Sequence, residues 1–245
     1  MSKNFELLQR AQQEQESVTR ARSDGSDAAL RPALEKTSDE ESIRLVQRLF
    51  LVPGPDAPRV VVFTAVDPGD GCTTVCGRVA ETLAGEMGES GSFCVVDANL
   101  RGPSLHRYFG LENRIGLVDA VSQSGPVREY TQQVGNGRLW VMTAGSSASN
   151  IHSLLTSEGL AARVAELRSD FDQVLIDSPA VNLFADAVAL GKLADGLILV
   201  LQSNATRREA ARKAKEIIEV AKIRLLGAVL NKRRFPVPAG IYGRL

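Results

Sequence analysis

The chain carries no net charge: Lys+Arg and Asp+Glu each number 29 among its 245 residues. That balance argues against general electrostatic attraction to nucleic acid or to an anionic membrane. No run of about 18 apolar residues occurs, so no transmembrane span is expected. The opening Met1-Ser2-Lys3-Asn4-Phe5-Glu6 lacks the apolar core of a signal peptide, and a cytoplasmic location is expected. Cysteine is scarce. Cys72, Cys76 and Cys94 are odd in number and have no zinc-ligand spacing, which suits a reducing compartment. His106 and His152 lie far apart in the chain, have no ligand spacing and read as structural.

The most telling absence is one lysine. Asp67-Pro68-Gly69-Asp70-Gly71-Cys72-Thr73-Thr74 follows the apolar run Val60–Ala65 and precedes a helical stretch over Thr73–Leu83. A buried strand, a glycine turn and a helix opening on Thr-Thr form a geometry that cradles phosphate. Gly69, Asp70, Gly71, Cys72, Thr73 and Thr74 are therefore candidate nucleotide-binding residues. The position before Thr73 ordinarily holds the Lys that reaches the β- and γ-phosphates; here it is Cys72. A glycine turn after a strand is also a plain βα loop in many folds, and Cys72 reads most simply as a small residue that fits it. The sharper alternative is a thiol made reactive by the helix N-terminus, with Cys76 one turn away.

What is present bounds the fold. Hydrophobic residues make up 44% of the chain, enough for a sizeable core. Residues 1–39 are polar and read as a flexible N-terminal tail, with a short helix over Phe5–Gln15 as the only periodic stretch. Ser38 and Glu41 have capping-box spacing, so a helix is expected from there through Leu49, ending before Pro53-Gly54-Pro55. Apolar strand runs then follow at Val60–Ala65, Phe93–Val96, Leu139–Met142, Val174–Ile176, Leu197–Leu201 and Leu225–Leu230. Helical stretches separate them near Thr73–Leu83, Leu117–Val121, Ser157–Leu167, Ala185–Leu193 and Arg207–Ala221. This alternation predicts an α/β fold of three layers, a mainly parallel central sheet with helices on both faces. The expected domain spans 40–235, with a short tail over 236–245. The basic run Thr206–Glu216 has interleaved acids and reads as a solvated helix face.

In such sheets ligands bind beyond the carboxyl ends of the strands. Two strands besides the first end suggestively. Phe93-Cys94-Val95-Val96 runs into Asp97-Ala98-Asn99-Leu100-Arg101-Gly102-Pro103, and Val174-Leu175-Ile176 into Asp177-Ser178-Pro179. A carboxylate closing a strand beside a phosphate loop can hold Mg²⁺ or orient a nucleophile. Thr73, Asp97 and Asp177 are the candidate metal residues. Each feature alone is weak, because a strand-end aspartate is often a helix cap. The case rests on three such ends in one chain order.

These residues resemble the cytoplasmic kinase domain of the bacterial tyrosine kinases of capsule and exopolysaccharide systems, a P-loop NTPase group related to the Min/Par partition ATPases. The resemblance covers about Glu40 to Asn231. Its most specific stretch is Val95 to Leu111, similar to the second acidic motif of that family. Ala144-Gly145, Asn150, Leu154-Leu155, Asp177-Ser178-Pro179, Asp186-Ala187 and Val229-Leu230-Asn231 add to it. The resemblance implies ATP and Mg²⁺ as cofactors, with Asp97 and Asp177 as catalytic residues: Asp97 the base toward an incoming tyrosine hydroxyl, Asp177 beside the metal. It places Asn231 at the nucleobase. It implies a membrane polysaccharide co-polymerase or chain-length regulator as partner, recruitment to the inner face of the membrane through it, and a homo-oligomer through the Glu41–Arg44 helix. Nucleic acid is not expected.

The departures are specific. Cys72 stands for the loop lysine, and Asn99 for the second acid after Asp97. Gln47 stands where the ring-forming motif has its next basic residue. A tyrosine-rich C-terminal tail is replaced by Pro238–Leu245, whose one tyrosine, Tyr242, is the candidate phosphosite. A lysine on phosphate contributes about 1.5–3 kcal/mol to binding. Losing a stabiliser of transition-state charge costs on the order of 10²–10³ in rate. The expectation is an ATP-binding tyrosine-kinase-like protein with weakened or lost phosphoryl transfer. The alternatives are a non-catalytic nucleotide-sensing regulator and a partition-type ATPase. Against the last, Asp67 and Pro68 stand where that group has an extra lysine, and no basic amphipathic C-terminal helix is evident.

Overall fold

A computed structural model describes residues 42–50, 57–86, 91–135 and 137–233. Seven strands form one sheet in the order β3-β4-β2-β5-β1-β6-β7. Their bounds are β1 Val60–Ala65, β2 Phe93–Asp97, β3 Gln132–Val134, β4 Leu139–Met142, β5 Gln173–Ser178, β6 Gly196–Gln202 and β7 Leu225–Asn231. All pairs are parallel except β3 with β4. Every residue of β1 and β2 is buried. Such strands are apolar on both faces, which is why they read as the Val- and Phe-rich runs Val60–Phe63 and Phe93–Val96.

Alternation along β1 divides the core in two. Val60 and Val62 pack with the first cluster, together with Leu160, Val164 and Leu167 of α6 (Glu158–Asp170), Leu190 of α7 (Asp186–Gly191), and Ala214 and Ile218 of α8 (Arg208–Val220). Val61, Phe63 and Ala65 face the second cluster. There they meet Val75, Cys76, Val79 and Leu83 of α2 (Cys72–Glu86), and Val46 and Phe50 of the helix over residues 42–49, here α1. Residues of one strand pointing alternately up and down thus bind two helical layers. The three-layer expectation holds.

The apolar runs locate six strands, with shifts of one or two residues at the ends. The third strand was missed: Gln132-Gln133-Val134 is polar and half-exposed, an antiparallel edge with no hydrophobic signal. The short helices α3 (Leu105–Phe109) and α5 (Ile151–Leu155) were missed as well, being too short for a period to emerge. The α4 helix (Leu117–Ser122) and α6, capped by the Ser157 side chain on the Leu160 N–H, match expectation. The basic run lies on α8, where only Ala214 and Ile218 are buried and the charged residues face solvent. On α1, Ser42, Val46 and Phe50 face inward, while Arg44, Gln47 and Arg48 are exposed. The expected tail over 1–39, the Ser38 and Glu41 cap, and Tyr242 lie outside the described residues.

Candidate functional site

The glycine loop leaves the end of β1 and enters α2, and the two acid-ended strands β2 and β5 lie beside it. Asp97 and Asp177 are register partners on β2 and β5, so their carboxylates are neighbours on the sheet. Two hydroxyls lock the Asp-Ser-Pro segment to β1. Ser178 Oγ donates to the Phe63 carbonyl at 2.9 Å, and Thr64 Oγ1 to the Pro179 carbonyl at 2.7 Å.

Thr73, on the first turn of α2, donates through Oγ1 to Asp177 Oδ2 at 2.6 Å. Ser104 Oγ lies 3.0 Å from the same Thr73 oxygen. Asp97 accepts N–H bonds from Ser104 and Leu105, both at 2.9 Å, and from Asn99 at 3.2 Å. Asp97 thereby caps the entry of α3. Thr73, Asp97 and Asp177 are brought together as expected, and Ser104 joins them. Nothing in the sequence singled Ser104 out beyond its place in the Val95–Leu111 stretch.

Burial dominates the electrostatics. Asp97 and Asp177 are both 0% exposed. Burial, then the adjacent Asp97, push Asp177 up to about 7, against the opposing hydrogen bonds of Thr73 and Cys72. Burial raises Asp97 too, despite its three N–H donors. Asp177 Oδ1 is buried with no hydrogen-bond partner. An orphaned carboxylate oxygen beside a threonine hydroxyl and a second acid suits a small hard cation. Among the described residues, no group of three or more His, Cys, Asp and Glu side chains is arranged to hold a metal ion by itself.

The loop is tied from its other side. Gly69 and Gly71 have φ of +90° and +88°. A Cβ on Gly71 would collide with the Asn231 side-chain amide, so that position must be glycine for two reasons. Asn231 Nδ2 donates to the Asp70 carbonyl at 2.8 Å. Lys232 Nζ donates to the Gly69 carbonyl at 2.6 Å and to Gln202 Oε1 at 3.0 Å. The Asp70 carboxylate is turned into the loop itself, accepting from the Asp67 N–H at 3.0 Å and from Thr206 Oγ1 at 3.1 Å. Sequence reading missed Thr206, Gln202 and Lys232; none of them falls in a motif.

Cys72 is buried at the start of α2, against Asp177 and Cys76. Burial, then Asp177 and Cys76, push its thiol well above the ordinary range, and burial with Asp177 and Asp97 does the same to Cys76. Burial and the neighbouring Asp177 carboxylate oppose any lowering by the helix N-terminus, so they favour the protonated thiol and weigh against the reactive-thiol alternative. Tyr108 packs its ring on Gly77, and its hydroxyl donates to Glu81 at 2.8 Å. His106 and His152 sit on separate helices, α3 and α5. Trp140 is less buried than a core residue; it lies half-exposed under the Arg128 guanidinium. Arg101 forms a two-pronged pair with Asp186 at 2.8 and 2.9 Å and covers the Phe184 ring, fixing the loop after Asp97 to the start of α7.

No protein-family model matches the chain. Tyrosine-protein kinase YwqD of Bacillus subtilis (strain 168) is 34% identical over 185 residues, covering 75% of this chain and 77% of that protein. The chain belongs to the family of bacterial tyrosine-protein kinases. Solved structures agree with this assignment. The VpsO kinase domain superposes with a TM-score of 0.75 at 26% identity, covering 85% of this chain and 98% of that one. The chimerical protein CapA2B2 gives 0.74 at 27% identity, covering 80% and 85%. The fold is that of the P-loop NTPases, which the Min/Par-like neighbours share at lower identity. Among the described residues, no helix is long and apolar enough to cross a membrane.

Proposed function

We propose that this member of the tyrosine-kinase family binds ATP with Mg²⁺ at the Gly69–Thr74 loop and transfers phosphate to tyrosine weakly or not at all. One observation carries the reading: Thr73, Ser104 and the buried acids Asp97 and Asp177 are brought together beside the loop, while the loop position for the phosphate lysine holds a buried thiol. The first turn of α2 begins at Cys72, and its leading amides have no partner within the helix, so they and the helix dipole favour a phosphate. Thr73 and Asp177 are the residues that would hold Mg²⁺, with Asp97 beside them. When bound, the metal supplies charge to the β- and γ-phosphate oxygens. Asp97, raised in pKa by burial, is the carboxylate placed to take a tyrosine proton. Asn231, held at the loop by the Asp70 carbonyl, borders the nucleobase end.

Binding survives the missing lysine because amides, Thr73 and metal remain. Transfer suffers more, since transition-state charge loses a fixed cation. In the cell, the reading places the protein in capsule or exopolysaccharide assembly, at the inner face of the membrane beside a polysaccharide co-polymerase. The family resemblance and the likeness to the CapA2B2 chimera support that placement. The exposed Arg44 face of α1 is the surface for self-association. Calorimetric titration with ATP and ADP in Mg²⁺, wild type against Cys72→Lys, tests the site. Both proteins should bind, the variant about tenfold tighter. Failure of both to bind would remove the assignment.

A further inference from the structure

Lys232 is the second cation to consider at this loop, and no motif contains it. It follows Asn231 at the end of β7, and its backbone has φ +55°, a conformation that side chains other than glycine rarely adopt. That turn brings its ammonium back onto the loop. Asn231 and Lys232 thus place donors on two consecutive loop carbonyls, Asp70 and Gly69. In a trans peptide the C=O and N–H point opposite ways. Holding the Asp70 carbonyl toward β7 therefore turns the Gly71 N–H away from β7.

An ammonium has three N–H donors. Two are used on Gly69 O and Gln202 Oε1, which leaves one. The aliphatic stem lies over Gly71, its Cε 3.6 Å from where a Cβ there would stand. Lys232 is exposed, so both stem and ammonium are open to a ligand.

The sheet order says which part of a ligand arrives there. The acids sit on β2 and β5, the loop leaves β1, and Lys232 ends β7 beyond β6. From β5 to β7 is three strand spacings, roughly 14 Å. That is comparable with the length of an extended nucleoside triphosphate. With its metal-bound phosphates at Asp177, the nucleotide reaches β7 with its sugar and base.

Resting on the nucleotide reading above, we infer that Lys232 seats the nucleoside half of the nucleotide. Its stem forms a shelf for the base, its free N–H meets the sugar, and its other two N–H groups hold the loop in register. The chain keeps a lysine at its phosphate loop, at the opposite end from the one it lacks.

The test is titration of the full chain with Mg-ADP and Mg-ATP, using Lys232→Ala, Lys232→Arg and, as a charge control, the exposed Lys222→Ala. Lys232→Ala should weaken both nucleotides by the same factor, at least about tenfold. Lys232→Arg should stay within about threefold of wild type, and Lys222→Ala should match it. Unchanged affinity in Lys232→Ala would overturn the inference alone. So would a loss confined to ATP, which would put the contact on the γ-phosphate, or an equal loss in Lys222→Ala. A wild type that binds neither nucleotide would overturn the nucleotide reading and this inference together.

Discussion

Asp119 and Asp177 are both almost inaccessible carboxylates, 6% and 0% exposed, and they titrate in opposite directions. Burial alone would raise Asp119. The Ser146 hydroxyl at 2.6 Å, the Ser146 N–H at 3.1 Å and the Gly116 N–H at 2.9 Å outweigh it and hold Asp119 below the usual range. Asp177 has one oxygen on Thr73 and the other on nothing, faces Asp97, and rises to about 7. The fold can satisfy a buried acid completely, and at Asp119 it does. It leaves Asp177 half-satisfied, beside the glycine loop and a second acid, which is what the proposed ligand site requires. Asp119 ties the segment after β4 to the start of α4, whereas Asp177 is the acid to which the proposal above assigns a cation.

The largest expected difference is in ligand binding. Asp177→Asn should reduce Mg-dependent ATP affinity by more than about a hundredfold, the loss of a buried charged contact. Asp119→Asn should leave it unchanged, and a comparable loss there would erase the distinction. The pH dependence separates them as well. The folded pKa of Asp177 is raised, so the folded state holds a proton that the unfolded state has released. Stability of the nucleotide-free protein should therefore fall as pH rises from about 4 toward 7, and Asp177→Asn should flatten that slope. Asp119 is depressed, so its contribution is present above about 4 and lost only as pH falls below that. Denaturant melts at pH 5 and pH 8 measure the Asp177 slope, and melts carried below about pH 4 measure that of Asp119.

Next in size is stability itself. Asp119→Ala strips the acceptor from three donors and should cost about 3 kcal/mol, several degrees in melting temperature. A melting point unchanged by Asp119→Ala would show that the satisfied carboxylate is dispensable. Smaller still is Gly145→Ala. Gly145 has φ +78°, and a Cβ there would strike Asp119 Oδ2, so a cost of about 1–3 kcal/mol is expected with ATP binding intact. The smallest effect is at Cys72: a thiol reagent at neutral pH should label it slowly in the folded protein, with or without nucleotide, because burial and Asp177 keep it protonated. Rapid labelling would mean that Asp177 does not sit against that sulfur.

Much of this was legible before any coordinates, for a physical reason. A strand buried on both faces must be apolar throughout, so β1 and β4 stand out at their true bounds. The acids that end β2 and β5 stand out because a charged residue closing an apolar run is conspicuous. The polar edge strand β3 has no such contrast. The rest of the site was hidden by sequence distance. Ser104 meets Thr73 across 31 residues, Thr206 meets Asp70 across 136, and Lys232 meets Gly69 across 163. None of those partners follows from local pattern; each depends on which strand ends the sheet order brings together. Nor does the sequence reveal that the Cys72 thiol sits against Asp177, which reverses the reactivity that a helix N-terminus suggests.

The central claim is that the loop retains the nucleotide and lacks the charge that moves its phosphate. Phosphotyrosine formation on an added tyrosine peptide, at saturating Mg-ATP, tests it most directly when wild type and Cys72→Lys are compared. The account predicts slow or undetectable transfer by the wild type and a rate on the order of 10²–10³ higher in the variant. Equal rates in the two proteins, at the pace of an ordinary kinase, would contradict it.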